Sequence, residues 1–281
     1  MVIAIQGERG AYSEAAALEH FGPDTEILPG ETFDAAFAAV QTGRADAGLV
    51  PIENSLAGTI RECYDLLLRH SLAIVGEHHL RVRHCLIALP GVEVGDIRRV
   101  ISHPQALAQC GRYLRELPEV TTDVVYDTAG SVKMVKEMGD RTVAGIASRR
   151  AAEVYGMQVL AEGIEDDAAN FTRFLAIRPE PVVPEGEAKT SIVFAMQNMP
   201  GSLFKAMSVF ALRDIDLTKI ESRPLVGKVW EYLFYVDLAG STADPNVQRA
   251  LENLSEYTSL LRVLGSYPRH ALVLDDIART G

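Results

Sequence analysis

The chain has 281 residues, enough for one large or two ordinary domains that can each bury a full core. With 48% hydrophobic and 23% charged residues it has the composition of a soluble globular protein. Its formal net charge of −11, with no basic cluster, argues against a nucleic-acid or anionic-membrane partner. An anionic substrate must therefore be drawn in by local devices, because the global field opposes it. Cys63, Cys85 and Cys110 are widely separated and form no C-x-x-C, so neither a disulfide framework nor a zinc site is expected. That usage fits a reducing cytoplasm. The first apolar run, residues 1–5, is too short for a signal peptide, and no segment approaches a membrane span.

In chain order, apolar strand-like runs alternate with amphipathic helical stretches from residue 2 to about 177. Strands are expected at 2–5, 48–52, 72–75, 85–89, 99–101, 124–126, 143–147 and 171–177. Helices are expected at 13–21, 33–41, 60–69, 105–117, 131–138 and 149–155. This alternation argues for α/β architecture with largely parallel pairing. Residues 179–187, with three prolines, a glycine and three glutamates, read as an exposed linker. Beyond it come a strand at 190–197, a helix at 202–212, strands at 217–224 and 231–238, a helix at 246–257 and a strand at 260–267. The order βαββαβ is that of a ferredoxin-like sandwich. The expected division is a first domain at 1–178, a linker at 179–188, a second domain at 189–268 and a tail at 269–281.

Five junctions in the first domain run from a strand end into a helix start carrying hydroxyl, amide or imidazole groups. They are Gly7 to Ser13, Glu53 to Thr59, Ser102-His103-Pro104-Gln105, Asp127-Thr128 and Ser148. In open α/β sheets ligands bind beyond the carboxyl ends of strands, where helix N-termini offer free N–H groups to anions. Capping alone also explains each one: Ser13, Thr59 and Ser148 are candidate N-caps, Thr59 with Glu62 makes a capping box, and Pro104 suits a first helical position. The Gly7–Gly10 loop is not G-x-G-x-x-G and lacks a P-loop lysine, so a nucleotide site is weakly supported. His103 is the histidine at a strand-to-helix junction and the natural titratable candidate; His20, His70, His78, His79, His84 and His270 lack that placement. Glu53 as an acid or base would repel an anion unless protonated. Glu165-Asp166-Asp167 reads as a solvated turn rather than a magnesium site.

Thr172-Arg173-Phe174, after Asn170-Phe171, opens a short apolar strand. Alternation puts Thr172 and Phe174 on one face and Arg173 on the other. A polar hydrogen beside an apolar wall, with a positive charge near, suits a small anion with an apolar ring. A capped strand with its Arg in a salt bridge is the plainer alternative.

Taken together these segments resemble prephenate dehydratase, through Gly7-x-x-Gly10-x-Tyr12-Ser13-Glu14, Val50-Pro51-Ile52-Glu53-Asn54-Ser55 with Gly58-Thr59, Ser102-His103-Pro104-Gln105-Ala106-Leu107, Asp127-Thr128-Ala129 and Asn170-Phe171-Thr172-Arg173-Phe174. The resemblance implies a two-lobed, periplasmic-binding-protein-like catalytic domain, with lobe 1 at about 1–79 and 160–178, lobe 2 at about 80–159, and the site in the cleft. It implies conversion of prephenate to phenylpyruvate without cofactor or metal. Thr172 would face the departing oxygen, Arg173 would anchor a carboxylate and Phe174 would desolvate the one that leaves. Tyr12, Ser13, Asn54, Ser55, Thr59, Ser102, His103 and Gln105 would contact substrate. The second domain resembles the family's ACT regulatory domain. This implies L-phenylalanine as effector, bound by Pro200, Gly201, Ser202 and Leu203 of one chain and Glu221, Ser222 and Arg223 of its neighbour in a homodimer or homotetramer. Gly201-Ser202-Leu203 departs slightly from the family's Gly-Ala-Leu. With the catalytic motif inside the first ten residues, the monofunctional form is expected. Arogenate dehydratase and a non-catalytic sensor of amino or keto acids are the alternatives.

Overall fold

The computed structural model describes residues 1–117, 119–196, 199–224 and 232–270. The chain divides into two compact units, one of Met1–His70 with His78–Phe174, the other of Ser71–Glu77 with residues 175–270.

The first stretch forms β1 (Val2–Gln6), α1 (Tyr12–Phe21), β2 (Glu26–Gly30), α2 (Phe33–Gln41), β3 (Ala47–Asn54), the two-residue β4 (Gly58–Thr59), α3 (Arg61–Arg69) and β5 (Ala73–Arg81). The chain then forms β6 (Cys85–Ala88), β7 (Arg99–Ser102), α4 (Pro104–Gln109), α5 (Gly111–Arg115), β8 (Thr121–Val124), α6 (Thr128–Met138), β9 (Val143–Ala147), α7 (Arg149–Tyr155) and β10 (Gln158–Glu162). It returns as β11 (Phe171–Arg178). One sheet runs β2-β1-β3-β11-β5 with β4 beside β3; a second runs β10-β6-β9-β7-β8. Two sheets joined by a crossing and a return make the first domain two-lobed, in an α/β architecture.

Alternation along β6 decides how the second lobe is filled. Leu86 and Ala88 face a cluster with Val100, Ala106, Ala144 and Ile146, while Cys85 and Ile87 face Ala129, Val132, Ala151 and Ala152. Helices thus cover both sheet faces, and each fully buried aliphatic chain contributes about 1.5–3 kcal/mol. Helix ends follow local chemistry: the Asp127 side chain caps α6 and Gly139 ends it in the left-handed region, and Ser148 and Gly156 do the same for α7.

Several expectations are corrected. Pairing is mixed rather than largely parallel: β1 runs parallel to β2 and β3, and β7 to β8 and β9, but β4 runs antiparallel to β3 and β6 antiparallel to both β9 and β10. The strand expected at 124–126 is β8 at Thr121–Val124, an exposed edge whose pairing with β7 outweighs the apolar run after it. β2, which carries Pro29, and β10, which has a register shift, are edge strands not among those expected. The helix expected at 105–117 breaks at Cys110, where Arg112 N–H turns to Asp166 Oδ1 at 2.9 Å. Ser13 is not a cap but lies inside α1, whose N-cap is Ala11. Thr59 belongs to β4, paired with Glu53, and Ile60 stands at the α3 N-cap, so the capping box does not form.

The second unit carries β12 (Ala188–Met196), α8 (Ser202–Ala211), β13 (Leu217–Pro224), β14 (Tyr232–Ala239), α9 (Pro245–Ser255) and β15 (Leu260–Pro268), the βαββαβ order in a sheet β13-β14-β12-β15. Gln197 and Glu231, expected strand ends, and residues 271–281 of the tail lie outside the described residues. Ile192, Phe194 and Met196 pack on Val209 and Phe210 of α8 and Val247 and Leu254 of α9. Earlier on β12, Lys189 meets Glu77 Oε1 at 2.9 Å, and Ser191 donates to Asp237 and shares a bond with the Tyr267 hydroxyl at 2.7 Å. A Cβ on Gly265 would lie 2.0 Å from the Ile74 carbonyl oxygen, so residues 71–77 pack directly on β15.

Candidate active site

Within the first unit a cavity of about 430 Å³ opens where strand ends of one lobe meet helix starts of the other, in the size range of small-molecule sites. Gln6, Asn54, Thr172 and Phe174 end or open strands of the first sheet; His103, Gln105 and Thr128 begin helices of the second lobe. Tyr12, Ser13, His84 and Gln109 complete the wall used below.

Thr172 is held by Asn54. The Asn54 side-chain oxygen accepts the backbone N–H groups of Leu56 at 3.1 Å and Ala57 at 2.9 Å, which fixes the amide so that Nδ2 points back into the sheet. Nδ2 donates to Asn170 Oδ1 at 2.8 Å, Thr172 Oγ1 at 3.0 Å and the Phe171 carbonyl at 3.1 Å. Thr172 oxygen is therefore an acceptor within the protein, and its own hydrogen remains to be donated into the cavity.

Ser13 is 8% exposed, and its hydroxyl makes no hydrogen bond among the described residues. It lies in the first turn of α1, whose N-cap has no capping side chain. Backbone N–H groups and a buried hydroxyl together form an anion-accepting end to the cavity. Next to it, Glu14 is fully buried and takes Gly10 N–H at 2.8 Å, Arg9 Nε at 3.0 Å and Arg150 Nη2 at 3.0 Å. Burial alone raises a carboxyl pKa, but the Gly10 N–H and both guanidiniums outweigh it and hold Glu14 below its ordinary value. Arg150 comes from α7, so Glu14 ties the two lobes together. Gly10 is part of the same junction: φ is +84°, and a Cβ would lie 2.7 Å from Ala151 Cα. Ser148 closes it by donating to the Gly10 carbonyl at 2.6 Å.

A second cavity of about 570 Å³ shares Gln6, Tyr126 and Asp127 with the first and adds Glu8 and Glu31. Glu8 accepts from Tyr126 at 3.1 Å and pairs with Lys133 at 3.3 Å. Burial first, then Glu8, pushes the Tyr126 phenol up to about 12.

Residues 3–182 match the family model for prephenate dehydratase, well over half of the chain. The chain belongs to the prephenate dehydratase family. Residues 190–256 match the ACT domain model. The chain is 51% identical over 277 residues to arogenate dehydratase/prephenate dehydratase 2, chloroplastic, of Arabidopsis thaliana, covering 95% of this chain and 72% of that protein. A prephenate dehydratase from Arthrobacter aurescens, solved in complex with L-Phe, superposes with a TM-score of 0.88 at 33% identity, covering 96% of this chain and 90% of that one. A structure described as GqqA, a novel type of quorum quenching acylases, superposes with a TM-score of 0.90 at 37% identity, covering 96% and 98%.

Of the residues singled out in the sequence, the cavity brings together Tyr12, Ser13, Asn54, His103, Gln105, Thr172 and Phe174. Arg173, 8% exposed, is not among the residues lining it, in keeping with strand alternation. Nor are Ser55, Thr59 and Ser102 among the lining residues. Ser55 donates to the Ala169 carbonyl at 2.6 Å and accepts Phe171 N–H at 2.9 Å; Ser102 is buried and donates to the Ile146 carbonyl at 2.6 Å. These two brace the loops that carry the site. His103 caps α4, accepting Gln105 N–H at 3.3 Å. His84, Gln109 and Asn170 are the site residues that reading by junction missed. Asn170 stood in the quoted motif and was given no role.

In the second unit Gly201 caps α8 at φ +82°, where a Cβ would have nothing among the described residues within 4 Å, Ser202 donates to the Met199 carbonyl at 2.9 Å, and Leu203 is 42% exposed. Pro200 precedes them on the exposed turn. Glu221, Ser222 and Arg223 lie on β13, an edge strand that among the described residues pairs with β14. Met199, Ser202 and Lys205 line a cavity of about 250 Å³ with residues 256–259. Among the described residues no helix is long and apolar enough to cross a membrane, and no cluster of His, Cys, Asp and Glu could hold a metal.

Proposed function

We propose that this chain converts prephenate to phenylpyruvate, with loss of carbon dioxide and water. The observation that carries the reading is Thr172, whose oxygen accepts from Asn54 and whose hydrogen is free for the cavity. In the reaction the ring carboxylate leaves as carbon dioxide. Its bonding pair enters the ring, and the carbon–oxygen bond opposite breaks to complete the aromatic ring. One proton joins the departing hydroxide to give water. Hydroxide is a poor leaving group, so the protein's main task is a strong hydrogen bond or proton at that oxygen. A neutral threonine is too weak an acid to ionise alone. Donation from Asn54 into its oxygen strengthens the bond it gives, and that bond tightens as negative charge develops. The Phe174 ring favours loss of charge from the carboxylate beside it. The start of α1 and the Ser13 hydroxyl receive a carboxylate that stays. Arg173 contributes through the strand and not by contact.

A specific observation favours a second substrate. Arogenate carries an ammonium where prephenate carries a ketone, and the adjoining arm with Glu8, Glu31 and Asp127 would attract it. For regulation, the ACT domain and the L-Phe complex of the Arthrobacter relative support L-phenylalanine as effector at Pro200–Leu203 and Glu221–Arg223 of paired chains. Incubating the purified chain with each substrate, and measuring phenylpyruvate by ultraviolet absorbance and phenylalanine by chromatography, tests the reading. Turnover of prephenate is expected. Faster turnover of arogenate would give the arm the deciding role, and tight binding with no turnover of either would leave a sensor.

A further inference from the structure

His84 lies where the chain crosses from the first sheet to the second, is 2% exposed, and touches two groups of the cavity wall. Its Nε2 is 2.9 Å from Gln109 Oε1, and its Nδ1 is 2.9 Å from the Tyr12 hydroxyl. Which nitrogen carries the proton follows from a chain of donors that starts at backbone groups. Leu56 and Ala57 N–H orient Asn54, so Asn54 Nδ2 donates to Asn170 Oδ1. Asn170 must then present Nδ2 to Gln109, 3.1 Å away, and Gln109 must present its oxygen. An oxygen facing His84 Nε2 requires that nitrogen to hold the hydrogen. Nδ1 is left with a lone pair, filled by the Tyr12 O–H. With the ring neutral, both of its nitrogens are satisfied in this arrangement, and reversing any amide would set donor against donor.

We propose that His84, as the neutral Nε2–H tautomer, is a positioning residue for the dehydration: it locks Gln109 with its amide N–H groups toward the cavity and secures the Asn170–Asn54 amides that hold Thr172. Burial independently keeps the ring neutral by lowering its pKa, against smaller opposing effects of the Gln109 bond and Glu165. The Arg83 carbonyl, 2.9 Å from the Tyr12 oxygen, gives the Tyr12 hydrogen a second acceptor if Nδ1 is removed. A glutamine at position 84 can therefore keep the donor to Gln109 without orphaning Tyr12. An asparagine is too short to place one there.

This inference rests on the dehydratase reading, and two measurements on the full-length chain keep the two apart. Steady-state kinetics should show kcat lowered about tenfold to a hundredfold in His84→Asn, the effect of losing one buried donor. KM should change less than threefold, and His84→Gln should recover at least fivefold of the lost kcat. Nitrogen-15 spectra of histidine-labelled wild-type protein at pH 7, with the His84 signal assigned by its loss in His84→Gln, should show a neutral ring protonated at Nε2. Equal losses in folded Asn and Gln variants, or an Nδ1–H or doubly protonated ring, would overturn the proposal. The spectrum decides the tautomer even if neither substrate is turned over, an outcome that would sink the functional reading instead.

Discussion

The cleft of the catalytic unit and the turn before α8 in the ACT unit both use glycine at a helix start, and to opposite ends. Gly10 is pressed against Ala151, and the groups around it are paired before any ligand arrives: Glu14 by two guanidiniums, Ser148 by the Gly10 carbonyl. Gly201 has open space around it, a neighbouring leucine 42% exposed and a phenylalanine, Phe204, 77% exposed. The first region is organised from within its own unit and holds its geometry by packing. The second presents backbone donors and apolar side chains outward, as suits the proposed effector site. Preorganisation of this kind is what stabilises charge developing in a transition state, whereas an open turn suits reversible binding.

The comparison breaks most sharply with one substitution made in both places. Gly10→Ala adds a clash with backbone to a left-handed conformation and should cost about 3 kcal/mol or more in denaturant unfolding. Gly201→Ala meets only the conformational penalty, about 1 kcal/mol. Its larger effect should be on regulation, weakening inhibition by phenylalanine at least tenfold in a dose–response assay while kcat without effector stays unchanged. Equal costs at the two glycines would remove the contrast. Between these lies Glu14→Gln, which leaves two guanidiniums facing a neutral amide. It should destabilise the catalytic unit by about 3 kcal/mol, the low end for a broken buried pair because both arginines stay partly solvated. The smallest effect is on acidification. Glu14, with its pKa depressed, contributes stability present above the ordinary carboxyl value of 4.5 and lost as pH falls through the lower folded value. His84, depressed by burial, binds its proton more readily unfolded, so stability also declines as pH drops below the ordinary 6.5. Thermal melts from pH 7 down to pH 2 should fall in two stages, and Glu14→Gln should flatten the lower one. Deleting the ACT domain is a poor test of regulation, because it would strip Glu77 of Lys189 and uncover Ile74.

How much of this was legible in the sequence follows from the kind of interaction involved. Thr172, Arg173 and Phe174 sort onto opposite faces by strand alternation, a local rule, and the structure keeps that order. The βαββαβ unit was readable because its strands pair as antiparallel neighbours around apolar runs. Ser13 and Thr59 were not readable as non-caps, since the helix starts lie only two residues and one residue from them, a shift that packing decides. His84 was passed over because its importance lies in meeting Tyr12 from 72 positions away and Gln109 from 25. No periodicity reports on such pairs. β2, interrupted by Pro29, escaped because an edge strand needs little apolar character.

The most direct test of the central claim is the kcat of Thr172→Val with the substrate that the wild-type chain turns over. Valine keeps the branched shape on β11 and removes the hydroxyl, so the melting temperature should hardly move. Loss of one preorganised donor at the departing oxygen should lower kcat by roughly 10²–10³-fold, about 3–4 kcal/mol, with KM changing far less. A folded Thr172→Val enzyme turning over at close to the wild-type rate would contradict the account and send the search for the donor to His103.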